Sequence, residues 1–175
     1  MRLVPFNYVA YITRQVGIIM NRKVNVILGL GIALMAAVAV FVLFSYAFND
    51  SSDLNFNGAS VFNAMFGSTD HEISAVPGLI IAFSFELAGF VFAIAAGIFK
   101  GKMSSLLFGL TFAFLLTAGI LFLNAVNLYM AVNPYAPHTE GVDVVSLGSG
   151  SICTVVFAFV GALLSLYGAY SNWKA

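Results

Sequence analysis

Arg2, Arg14, Arg22, Lys23, Lys100, Lys102 and Lys174 all lie on one side of a series of long apolar runs, and every acidic residue except Glu86 lies on the other. Few folds are open to a chain sorted in this way. Only 8% of the 175 residues are charged and 61% are hydrophobic, whereas a soluble domain carries about 25% charged residues. Such a chain has too few charges to cover a water-facing surface, so lipid is its natural solvent. The length accommodates four spanning helices of ~20 residues with their connections, and the whole of 1–175 reads as a single four-span membrane domain.

The first span is expected at Val24 to Phe48, the second at Ala75 to Phe99, the third at Met103 to Leu128 and the fourth at Ser151 to Tyr170. Lys100-Gly101-Lys102 makes a tight turn between the second and third spans. Its lysines, with Arg22-Lys23 and Lys174, place both termini on the cytoplasmic, matrix or stromal side by the positive-inside rule. The connections at 49–74 and 129–150 then lie outside. The first apolar run is longer than the 7–15 residues of a signal-peptide core, so the N-terminal segment is expected to be retained. Before the first span, Val9, Ile12, Val16 and Ile19 recur at helical spacing, with Asn7, Arg14 and Asn21 on another face. That pattern fits an amphipathic helix lying in the inner interface. In the first outer loop, Val61, Phe62, Met65 and Phe66 fit a short helix resting on the outer interface. In the second, Pro134, Pro137 and Gly141 oppose a regular helix.

Small residues recur every four positions in each span: Gly29, Ala33 and Ala37; Gly89, Ala93 and Gly97; Ser105, Gly109, Ala113 and Thr117; Thr154, Ala158 and Ala162, continued by Ser165. In lipid, helices associate through close backbone approach, which small side chains permit. An all-α, compact four-helix bundle follows. Most of the 18 Phe would then face lipid or a partner.

Glu86 is the sharpest chemical feature. It lies near the middle of the second span, where a carboxylate costs ~2.5–3.5 kcal/mol on insertion scales. No Lys, Arg or His lies within a span to pair with it. It is therefore read as a neutral acid, able to donate one hydrogen bond and accept others. Counting back from the turn at Gly101 puts Thr117 at its level on the third span, and a Glu86–Thr117 hydrogen bond is expected. Asn124, two turns further out, would extend the polar path.

Other chemistry is sparse. Two histidines and two carboxylates, His71, Glu72, His138 and Glu140, share the outer side and are weak metal-ligand candidates, because their spacing matches no ligand pattern. Asn49-Asp50-Ser51 has the form of a glycosylation triplet. The single Cys153 rules out an intrachain disulfide. No phosphate-binding loop, metal-binding His pair or nucleophile with a base beside it is present, no cofactor is expected, and no basic cluster suggests nucleic acid. Four-span proteins of tight junctions and vesicles share this topology, but the Trp and paired-Cys signature of the junction proteins' first outer loop is missing. The expectation is a non-enzymatic protein that acts by association with lipid, with other membrane subunits or with copies of itself. The alternative is an oligomeric cation or proton channel with Glu86 as the intramembrane site, Thr117 and Asn124 as ligands, and Asp50, Asp53, Asp70 and Glu72 gathering cations at its mouth. Cysteines at Ser68 and Ser104 should be labelled by impermeant reagents from the outside and the inside respectively; the reverse would invert every loop assignment.

Overall fold

A computed structural model describes residues 6–45, 48–50, 60–69, 74–133 and 145–173, with side chains from Lys23 onward except in 48–50 and at Val145. The chain folds into α1 (Phe6–Val42), β1 (Phe48–Asp50), α2 (Val61–Phe66), α3 (Pro77–Ile98), α4 (Gly101–Leu123), α5 (Ala125–Val132), β2 (Val145–Leu147) and α6 (Ser149–Trp173). Four helical stretches are long and apolar enough to cross a membrane: Lys23–Val42, Pro77–Ile98, Gly101–Leu123 and Ser149–Trp173. The protein is an all-α, multi-pass membrane bundle.

Three boundaries differ from the sequence reading. The first span ends at Val42, and Phe48 belongs to a strand. The third span breaks at Asn124, whose side-chain amide donates to the Ile120 carbonyl at 2.8 Å, and α5 then continues to Val132. The amphipathic segment is not a separate helix but the first half of α1. At 1.5 Å per residue, 37 residues extend about 55 Å, well beyond a hydrocarbon core of ~30 Å.

The spans form a four-sided ring in which α1 packs on α3 and α6, and α4 packs on α3 and α6. The buried positions explain this arrangement. On α1 they are Asn25, Gly29, Ile32, Ala36, Ala39 and Leu43; on α3, Leu79, Ala82, Glu86, Gly89, Ala93 and Ala96; on α4, Ser104, Phe108, Thr111, Leu115, Ala118 and Phe122; on α6, Ser151, Thr154, Ala158, Gly161, Ser165, Gly168 and Asn172. Steps of three and four alternate on every helix. This 3.5-residue period is the seam of a left-handed bundle.

The strict four-residue stripe predicted on α4 is a correction. Four residues advance a helix by about 400°, so each step drifts about 40°, and three steps drift about 120°. Ser105 is buried, Gly109 half-buried, and Ala113 and Thr117 are exposed. Ala36 and Ala39, rather than Ala37, continue the buried face of α1. The aromatic residues divide as well. Phe41, Phe44, Phe66 and Phe99 are exposed, but Phe108 and Phe122 fill the core, and Phe85 and Phe92 lie against Phe114 at ring separations of 5.6 and 5.4 Å.

Helices approach most closely where glycine faces backbone. A Cβ added at Gly29 would stand 2.6 Å from the Ala93 carbonyl oxygen and 2.9 Å from Gly97 Cα. Side-chain hydroxyls and amides also join the helices. Ser104 Oγ donates to the Ala96 carbonyl and Ser105 Oγ to the Ala169 carbonyl, both at 2.7 Å. Asn25 and Asn172 exchange side-chain amide hydrogen bonds between α1 and α6. The turn between α3 and α4 passes through Gly101 at φ +57°, a left-handed conformation that glycine adopts without steric penalty.

The end of the bundle opposite the Lys100–Lys102 turn is closed more tightly than the sequence suggests. β1 pairs antiparallel with β2, Phe48 opposite Leu147 and Asp50 opposite Val145, tying together the connection after α1 and the connection before α6. The short helix expected at Val61, Phe62, Met65 and Phe66 is α2, and it also packs into the bundle: Val61 and Met65 are fully buried while Phe66 is exposed. The Val61 and Phe62 amides donate to the Ser45 and Leu43 carbonyls, and the Val76 amide donates to the Met65 carbonyl. Asn133 bonds both the amide and the carbonyl of Ser74, at 2.9 and 3.2 Å. Ser104 is buried, so exposed Lys102 and exposed Thr69 are better positions for labelling, in a Cys153→Ser background.

Gly29→Ala should destabilise the bundle by about 1–3 kcal/mol through overpacking against backbone, although alanine gains ~1 kcal/mol in helix propensity. Gly31→Ala and Gly109→Ala meet nothing within 4 Å and should be neutral or slightly stabilising. Denaturation in lipid-detergent mixtures, followed by circular dichroism, separates these outcomes.

Candidate functional site: Glu86 within the bundle

Glu86 occupies a core position of α3, nine residues after Pro77 and twelve before Ile98. Its place follows from the heptad-like spacing Leu79, Ala82, Glu86, Gly89 and Ala93, all buried. The side chain has 0% exposure. Neither carboxyl oxygen has a hydrogen-bond partner.

The surroundings are apolar and small. One turn nearer the Lys100–Lys102 end, a Cβ on Gly89 would stand 2.5 Å from Leu115 Cδ2, and one on Gly161 would stand 2.9 Å from Leu115 Cδ1 and 3.8 Å from Ile32 Cγ2. Leu115, Ile32, Gly89 and Gly161 thus mark a common layer contributed by all four spans. One turn from that layer toward α2 lie Ala36 on α1, Ala118 and Gly119 on α4, and Ala158 on α6, all buried. By helical rise these residues share the level of Glu86. The acid falls at the seam between two apolar clusters. The one nearer α2 includes Leu43, Met65, Leu79, Ala82, Phe122 and Tyr129. The one nearer the Lys100–Lys102 turn includes Ile32, Ala36, Ala93, Phe108, Leu115 and Ala162.

The expected Glu86–Thr117 hydrogen bond is absent. Thr117 is exposed on the far side of α4 and donates to the Ala113 carbonyl at 2.8 Å. Asn124 is exposed too, and its amide satisfies the carbonyl at the break before α5, so the three residues do not line one path. Several other buried hydroxyls of the core bond to carbonyls. Thr111 donates to Leu107, Ser165 to Gly161, and Thr154 to Gly150 and, at 3.4 Å, to Ala39 of α1. His71, Glu72, His138 and Glu140 lie outside the described residues, as does Ser51 of the glycosylation triplet, whose Asn49 is on β1.

The sequence reading missed the Asn25–Asn172 pair. Asn25 and Asn172 stand next to the basic flanks at Lys23 and Lys174, at the ends of their spans. Their positions in the alternating three-and-four pattern were the available signal. No protein-family model, curated protein or solved structure matches the chain.

An unpartnered carboxyl in an apolar layer lowers stability. Burying a hydrogen-bonding group without its partner costs about 1–3 kcal/mol, whereas an apolar group of like shape restores that loss. Glu86→Met keeps the length of the side chain and removes both oxygens. It should raise stability in lipid-detergent unfolding by about 1–3 kcal/mol. Unchanged or lower stability would mean that the carboxyl has a stabilising partner in the membrane.

Proposed function

We propose that this is a non-enzymatic membrane protein that works by association, as an accessory subunit of a larger membrane complex or as a self-assembling four-span scaffold. The observation that supports this is the outward stripe on α4. Gly109, Ala113 and Thr117 run along a face turned away from the protein's own bundle, and a Cβ at Gly109 meets nothing within 4 Å. Small residues at this spacing are the packing chemistry of helix pairs in lipid. Exposed Asn124 lies further along the same face and offers an amide to a neighbouring helix. We further propose that both termini lie on the cytoplasmic, matrix or stromal side, by the charge asymmetry of the connections.

The alternative, an oligomeric cation or proton channel built on Glu86, has weaker support. A ring of protomers shares a carboxylate only if that group reaches the surface between them, and Glu86 has 0% exposure within one protomer. Thr117 and Asn124 face away from it.

Mass measurement after extraction into native-lipid particles tests the association reading. The expected species is an oligomer or a stoichiometric complex. Ala113→Phe, on the exposed face, should leave the unfolding transition unchanged and shift the mass to the monomer. A wild-type protein that is a lone monomer in its own lipids counts against association. Wild-type vesicles with no proton or cation flux above empty lipid would remove the channel alternative.

A further inference from the structure

We propose that Glu86 is a proton-binding site enclosed within a single protomer, which closes the bundle when loaded and parts it at mid-depth when empty. The inference goes beyond association and does not depend on it. Three observations converge on the site: 0% exposure, two carboxyl oxygens without a partner, and a surrounding layer of Ala36, Ala118, Gly119 and Ala158. Nothing in that layer can stabilise a negative charge.

Every element packed around Glu86 is equally bare. Beyond Lys23 on α1 and Lys102 on α4, and throughout α6, no Lys, Arg, His, Asp or Glu occurs, and α3 has none but Glu86. Lys23, Lys100 and Lys102 are exposed at one end of the bundle. On α6, Cys153, Tyr167 and Tyr170 are exposed. Tyr129 of α5 is buried in the cluster nearer α2, where burial raises its phenol above the usual range and keeps it neutral. Among the described residues, Glu86 is therefore the one titratable group that faces the middle of the core.

The closed bundle accommodates the neutral acid. When the proton passes to water, the carboxylate left behind needs hydration or a cation. Water can reach the carboxylate only if the close contacts of Ala36, Ala118, Gly119 and Ala158 open. The helices can then part there while Gly29 against Ala93, and the Asn25–Asn172 pair, hold the Lys100–Lys102 end. Proton occupancy becomes bundle geometry.

Wild type, Glu86→Met and Glu86→Gln are compared in lipid nanodiscs between about pH 5 and about pH 10, a range that brackets documented buried carboxyls. Amide hydrogen exchange is read along α3, as the ratio of wild-type to variant rates, in which the intrinsic pH dependence of exchange cancels. The ratio should be flat at low pH and then rise about tenfold per pH unit. Wild-type protein carrying carboxyl-labelled glutamate should show an infrared band of a protonated acid that fades over the same interval. That second measurement needs no variant to fold. A flat ratio against both variants overturns the proposal, and so does a missing acid band at about pH 5. Loss of the band with α3 protection unchanged would also overturn it, because the charge would then be accommodated in the closed bundle.

Discussion

Contact between the α1 and α3 backbones at Gly29 is the constraint on which the bundle rests. Apolar side chains gain nothing by leaving lipid for protein, so helices must meet through dispersion and short polar links. Gly29 lets the Ala93 carbonyl and Gly97 approach more closely than any side chain would permit. That approach brings Ile32 near Gly161, and Leu115 then fills the space between Gly89 and Gly161. Elsewhere in the ring Phe159 meets Gly119 in the same way. Gly168 against Leu28 and Phe108 repeats the device nearer the Lys100–Lys102 turn.

Polar groups inside this dry bundle follow a rule with one exception. Hydroxyls bond to carbonyls, either one turn back on their own helix or across to the next. Amides pair with each other, as Asn25 does with Asn172. Glu86 alone among the described buried side chains has unsatisfied oxygens. Natural structures seldom leave such a group without a reason. Here the chain has placed its sole intramembrane ionisable carboxyl where a packing residue would otherwise sit.

The sequence made the architecture legible because its strongest signals are crude ones. Run length and the side taken by each lysine suffice to define four spans and their connections. The faces were harder. A four-residue stripe and a 3.5-residue seam coincide over one or two turns and diverge over three, so Thr154, Ala158 and Ala162 were placed correctly while Ala113 and Thr117 were not. The Glu86–Thr117 pairing failed for the same rotational reason, although the depth count was sound. β1 and β2 were invisible because strands of three residues carry no periodicity. The burial of α2 was hidden because Val61 and Met65 suit an interface as well as a core.

The order in which the ring closes carries a consequence for biosynthesis. α1 is made first and α6 last of the four spans, yet the two are neighbours. They are held together near the Lys100–Lys102 end by Asn25 and Asn172, and at the opposite end by β1 and β2. While α3 and α4 are being inserted, α1 has only one flank covered. Its Asn25 amide waits for a partner more than a hundred residues away in the chain. Until α6 is made, the described spans form an open arc, and closure of the ring waits on that helix.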